Sequence, residues 1–168
     1  MAAHAVVGSA PAVSSRRWSL FIGLATIVVL ADQATKALVA ATYPVGSTSD
    51  VIGDLVRLAP SANSGAIFGL FPQQAWLFGL LSVAVLGFIV FYHARSADGG
   101  PLISVALGLL LGGAIGNLID RFRLGAVLDF VDVGIGHLRW YTFNVADAAI
   151  SASIVLLLLT AVLGERRR

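Results

Sequence analysis

Apolar residues in this chain gather into four long stretches, approximately Trp18 to Ala41, Ala75 to Tyr92, Pro101 to Ile119 and Asn144 to Leu163. Each approaches the roughly 20 mostly apolar residues that a helix needs to cross a bilayer. The second and third stretches contain no charged residue, whereas the first carries Asp32 and Lys36 and the fourth carries Asp147 in its opening turn. Between the stretches the pattern changes. Residues 42–74 are rich in Gly, Ser and Pro, and Val51, Leu55, Val56 and Leu58 suit short strands or an interfacial segment. The run VLDFVDV in the 120–142 loop reads as a strand. The expected architecture is an all-α membrane protein with four transmembrane helices and a small extracytoplasmic cap containing some sheet. Residues 1–168 then form one domain, with 1–17 as a cytoplasmic N-terminal extension.

Composition supports the membrane reading. Hydrophobic residues make up 58% of the chain and charged residues only 12%, against about 25% in an ordinary soluble domain, and the mean hydropathy is +0.90. Placing both termini in the cytoplasm puts Arg16, Arg17, Arg95 and Arg166 to Arg168 inside, and Arg57, Arg121, Arg123 and Arg139 outside. The first stretch resembles a signal peptide in having Arg16 and Arg17 ahead of it, but it exceeds the ~7–15 apolar residues of such a segment and favours a retained span. The net charge of +2 gives no reason to expect nucleic acid, because the basic residues are scattered or sit at the ends of spans.

The chemistry available is narrow. Without cysteine there is no thiol nucleophile, disulfide or thiolate metal site. His4, His93 and His137 lack metal-ligand spacing, so neither a metal nor another cofactor is expected, and no G-x-S-x-G elbow is present. Hydrolytic chemistry would fall to the nine carboxylates, four of which, Asp120, Asp129, Asp132 and Asp147, lie between the end of the third stretch and the start of the fourth. Ionisable groups at a membrane boundary cost several kcal/mol, roughly 3 on insertion scales, and mark functional sites by default.

Each polar motif has a structural reading beside the functional one. Asp32 and Lys36, four apart on one helical face, form either an orienting ion pair or part of a substrate site. NSGAIFGL, with Asn63 and Gly65, combines an amide that can bind extended peptide with a turn into the second span. In GGAIGNLIDR the glycines suit close helix packing, which leaves Asn117, Asp120 and Arg121 unexplained; Asp120 can pair with a nearby arginine. Asp129 and Asp132 point to opposite faces of a strand, so one alone can look into a given site, and Asp132 reads as the solvent-exposed decoy. FNVAD places Asn144 at a helix N-cap and Asp147 three residues later, the spacing of a capping box.

Taken in order, DQATK, NSGAIFG, GNLIDR, the DF at Asp129 and FNVAD on four predicted spans resemble the lipoprotein signal peptidase family, the bacterial signal peptidase II aspartyl membrane proteases. That resemblance implies Asp129 and Asp147 as catalytic residues. It implies Asp32, Lys36, Asn63, Gly65, Asn117, Asp120, Arg121 and Asn144 at the substrate pocket. The partners it implies are lipid-modified prolipoprotein signal peptides and membrane lipids. Cleavage would fall before the lipid-modified cysteine, near the outer face of the bacterial inner membrane. Two acids suit this chemistry, since one carboxylate deprotonates water and the other protonates the carbonyl oxygen or the leaving amine. A different reading of the same intramembrane acids is a small proton-coupled transporter with Asp32, Lys36 and Asp147 as a relay, disfavoured by the absence of an internal repeat.

Overall fold

The computed structural model describes residues 13–64, 75–96 and 99–165. Four helices, α1 (Ser15–Thr42), α2 (Ala75–Arg95), α3 (Gly100–Leu124) and α4 (Val145–Glu165), accompany a sheet of β1 (Ser49–Ile52), β2 (Val56–Asn63), β3 (Val127–Ile135) and β4 (Leu138–Arg139). Among the described residues three helices are long and apolar enough to cross a membrane, Ser15–Thr42, Gly100–Leu124 and Val145–Leu163; the apolar stretch described in α2 is Leu80–Arg95. Large apolar side chains such as Ile27, Leu38, Phe88 and Leu158 stand exposed on the helices, as lipid contact requires.

α3 is the axis of the bundle, packed against α1, α2 and α4. The glycines of its sequence explain how. A Cβ on Gly112 would lie 2.7 Å from the Ala25 carbonyl oxygen of α1, and one on Gly113 would lie 2.5 Å from the Ala146 carbonyl oxygen of α4. Backbones approach that closely only where side chains are missing. Phe21, Ala25, Ile89, Leu107 and Leu111 form the apolar core beside this seam. At the end of the bundle where α1 begins, Arg17 and His93 both bond the Ser104 hydroxyl, at 3.0 and 3.1 Å.

α3 extends past the expected Ile119 to Leu124 and includes Asp120 and Arg121. It stops at Gly125, whose left-handed φ of 71° lets its N–H bond the Arg121 carbonyl. β3 follows at once. The sheet is antiparallel throughout in the order β1-β2-β3-β4, and its register sorts side chains by face. Asp50 opposes Arg57 and Arg57 opposes Asp132 on one face. Leu58 opposes Val131 and Ser61 opposes Asp129 on the other. The expected opposition of Asp129 and Asp132 therefore holds, and Phe143, paired with Val131, carries the chain from the sheet edge into α4.

Candidate active site

Asp129 enters the site from β3 and Asp147 from the first turn of α4, and a set of amides holds both. Asn144 immediately precedes α4. Its Oδ1 accepts the Asp147 N–H at 2.9 Å, while Asp147 Oδ2 accepts the Asn144 N–H at 3.3 Å, which is the reciprocal capping box of the FNVAD spacing. The Asn144 amide then donates from Nδ2 to Asp129 Oδ1 at 2.7 Å. Asn63, at the end of β2, donates to Asp129 Oδ2 at 3.1 Å. Asn117 of α3 donates to Asp147 Oδ1 at 2.7 Å and accepts from Asn144 at 3.2 Å. Capping does not take Asp147 away from the cavity, because the same carboxylate that closes the capping box also lines it.

Both aspartates line one cavity of about 760 Å³, together with Asn63, Asn117 and Arg121. Its remaining wall is largely apolar, from Ala114, Val127, Phe143, Ile150 and Ile154 among others. Asp129 is almost completely buried, at 2% exposure. Burial pushes its carboxyl from 3.8 up to about 6, a rise opposed by the Asn63 hydrogen bond, reinforced by the Asp147 charge, and opposed again by Asn144 and Lys36. Tyr141 also lines the cavity, and its phenol is raised by burial and by the charges of Asp129 and Asp147.

Asp32, Lys36 and Asp120 are not among the residues lining the cavity, and neither is Asn144. They stand behind its wall. Lys36 Nζ lies 2.9 Å from Asp32 Oδ2 and 2.8 Å from Asp120 Oδ2, with all three side chains at most 5% exposed. Asp120 thus pairs with a lysine, not with the neighbouring arginine its sequence position suggests. Arg121 points instead toward the cavity and donates to the Asn117 carbonyl at 3.2 Å. The acids bind backbone as well: Asp32 Oδ1 accepts the Ala146 N–H of α4 at 3.0 Å, and Asp120 Oδ2, the oxygen that meets Lys36, also accepts the Leu128 N–H of β3 at 3.1 Å. Lys36 and its two acids therefore tie α1 and α3 to the very turns that carry Asp147 and Asp129.

Gly65 lies outside the described residues. Asp132, expected as an exposed bystander, is half-buried and held by Arg139 on the other face of the sheet at 3.0 Å. Sequence reasoning overlooked Gln33, whose amide donates to Asp32, Asp120 and the Gly116 carbonyl at 3.0 to 3.2 Å. An amide next to a charge inside an apolar run was the available signal. Trp140 and Tyr141, also overlooked, are consecutive aromatic residues that line the cavity just before FNVAD.

Two acids from separate elements, converging on an amide-braced cavity beside membrane-length helices, define a membrane aspartic peptidase. The chain belongs to the signal peptidase II family, described as signal peptidase (SPase) II, which matches residues 24–163. It is 36% identical over 149 residues to the lipoprotein signal peptidase of Bacillus subtilis (strain 168), covering 89% of this chain and 97% of that one. It is 40% identical over 141 residues to the lipoprotein signal peptidase of Nitratidesulfovibrio vulgaris (strain DP4), covering 81% and 85%. A solved bacterial membrane enzyme, determined by the in meso method at 1.9 Å resolution, superposes with a TM-score of 0.79 at 28% identity over 92% of this chain and 97% of the other.

Proposed function

We propose that this protein is a four-span inner-membrane endopeptidase that removes the signal peptide from prolipoproteins, cutting on the N-terminal side of the diacylglyceryl-modified cysteine. The observation that carries the reading is the single cavity onto which Asn144 and Asn117 brace both Asp129 and Asp147. In this reading α2 is the fourth span, both termini and residues 1–17 are cytoplasmic, and the sheet and cavity face away from the cytoplasm. The substrate is an apolar helix joined to a lipid, which suits a cavity whose wall is largely apolar.

Hydrolysis follows from two carboxylates. One takes a proton from water as the oxygen attacks the scissile carbonyl, and the other gives a proton to the carbonyl oxygen. Two neighbouring aspartates cannot both ionise cheaply, so one keeps its proton while the other is ionised. Arg121 and Asn63, on the cavity wall, are placed to hold backbone carbonyls of the substrate, with Gly65 beside Asn63 in sequence. Asp32, Lys36, Asp120 and Asn144 shape the pocket from behind.

The test is cleavage of a lipidated precursor by purified enzyme. Asp129→Asn and Asp147→Asn should each lower kcat by roughly 10²–10⁴-fold, the usual worth of general acid–base catalysis, while remaining folded and inserted. Asp132→Asn should keep substantial activity. Near-normal turnover by either dyad variant rules the mechanism out, and loss of activity in Asp132→Asn would reopen the choice of acid on β3.

A further inference from the structure

The two aspartates of the dyad stand in unequal surroundings, and the inequality leads back to Lys36. Asn117 Oδ1 accepts hydrogen bonds from Lys36 Nζ at 3.2 Å and from Asn144 Nδ2 at 3.2 Å, while its own Nδ2 donates to Asp147 at 2.7 Å. A cation and an amide pulling on the carbonyl end polarise the group, and its N–H end becomes a stronger donor. The donor that reaches Asp147 is thus charge-enhanced although no Lys or Arg among the described residues forms an ion pair with it. Asp147 also lies in the first turn of α4, where the helix dipole favours negative charge. Asp129 has neither advantage. It sits on a strand, its bond from Asn144 comes from a nitrogen also within 3.4 Å of the Leu128 carbonyl, and it is 2% exposed.

We propose that Lys36, acting through Asn117, fixes the division of labour in the dyad, making Asp147 the base that deprotonates water and Asp129 the acid that protonates the scissile carbonyl. Lys36 is a positioning residue: its contacts are with Asp32, Asp120 and Asn117, behind the cavity. The elevated carboxyl of Asp129 agrees with this assignment. The proposal rests on the peptidase reading and deepens it.

The steps balance. Asp147 carboxylate takes one proton from water while the water oxygen bonds to the carbonyl carbon, and Asp129 gives its proton to the carbonyl oxygen, leaving a neutral gem-diol. Asp147 then gives its proton to the amide nitrogen as the C–N bond breaks, and one diol hydroxyl returns a proton to Asp129 as the carboxyl product forms. Both acids end as they began. Charged or titratable groups facing the pair are Lys36 and Asp32 from α1, Asp120 and Arg121 from α3, and Tyr141 from the segment before α4.

The decisive measurement is a carboxyl titration by NMR of aspartate-labelled protein in detergent, with Asp129→Asn and Asp147→Asn used to assign the two resonances. Because Lys36→Met alone strands two buried acids, the informative variant is Lys36→Met/Asp120→Asn, which removes one charge of each sign, compared with Asp120→Asn. The double variant should raise the Asp147 midpoint by about one pH unit, equivalent to a tenfold change, and by more than it raises that of Asp129, whose carboxyl Lys36 also lowers. Asp120→Asn alone should not raise the Asp147 midpoint. In the cleavage assay the acid limb of the kcat profile should move with Asp147, at unchanged KM. An unmoved Asp147 midpoint in the folded double variant overturns the proposal, as does a rise in KM at unchanged kcat, which would put Lys36 in contact with substrate. If wild-type protein cuts no lipidated precursor, the peptidase reading falls, and the NMR titration still decides whether Lys36 divides the charge.

Discussion

Lys36 and Arg139 each hold two aspartates, one group sealed among the helices and the other on a face of the sheet. Around Lys36 the three charged side chains are at most 5% exposed. Gln33, Asn117 and the N–H groups of Ala146 and Leu128 complete the set. Around Arg139, Asp132 is 14% and Asp54 43% exposed, and Arg57 extends the chain of charges from Asp54 to an Asp50 that is 62% exposed. The chemistry is the same, and water decides what it is worth. A buried ion must have every partner in place, since losing one leaves an uncompensated charge in a medium that cannot solvate it. A wet ion pair loses little when broken, because water replaces the partner. The dry group can therefore fix the geometry of α4 and β3 beside Asp147 and Asp129, while the wet group pins the β1–β2 and β3–β4 ends of the sheet.

The largest difference should come from removing each cation in turn. Lys36→Met is expected to lower stability by about 3–5 kcal/mol, the typical cost of breaking a buried pair, read as unfolding in detergent. Lys36→Met/Asp120→Asn should recover much of that loss. A Lys36→Met variant no less stable than an Arg139 variant would break the comparison. A smaller blow to the dry group comes from packing. A Cβ on Gly116 would lie 2.6 Å from Asp32 Oδ2, a side chain at 0% exposure that cannot move aside without releasing Lys36 or Ala146. Gly116→Ala should cost about 1–3 kcal/mol by overpacking and lower kcat as well, and an unchanged melting temperature would show that Asp32 is free to shift.

The two groups were unequally legible in the sequence. Asp32 and Lys36 stand out because charge inside an apolar run is rare, and their spacing alone predicts the pair seen at 2.9 Å. Asp120 was misread as an arginine's partner, since its choice depends on α3 running on to Leu124 and packing against α1, which no local pattern states. FNVAD announced its capping box correctly. That the same Asp147 shares a cavity with Asp129 depends on Asn117 and Asn144 across three elements, and the ordered motif set pointed to both residues before geometry did. The wet group was invisible, because charges in a polar loop are ordinary until strand register sets Asp50, Arg57 and Asp132 side by side.

Asp129 lies between the two extremes: as dry as Asp32, yet within ion-pair distance of no Lys or Arg among the described residues. Its carboxyl is raised from 3.8 to about 6, so the folded protein binds more protons than the unfolded chain between those values. The associated stability is fully present below pH 3.8 and is lost as pH rises through about 6, by at most about 3 kcal/mol for a two-unit shift. In the proposed mechanism the same ionisation removes the proton that Asp129 donates. Accordingly kcat/KM, which reports the free enzyme, should fall with increasing pH above about 6, approaching tenfold per pH unit. A flat profile from pH 6 to 8 would mean that Asp129 gains a neutralising partner the described residues do not provide.

The smallest effect belongs to the wet group, and salt makes it diagnostic. Arg139→Ala removes a bidentate contact with Asp132, Nε lying 3.0 and 3.1 Å from its two oxygens. It also removes a bond to the Asp54 carbonyl at 2.6 Å. Partial exposure limits the expected loss to about 1 kcal/mol. Raising ionic strength from about 0.1 to 1 M shortens the screening length from about 10 to 3 Å, so the charge-dependent part of this loss should shrink, whereas the Lys36→Met loss should not. If both penalties fell with salt in the same proportion, Lys36 and its aspartates would have to be reached by solvent ions, and the contrast between the two groups would be one of position only.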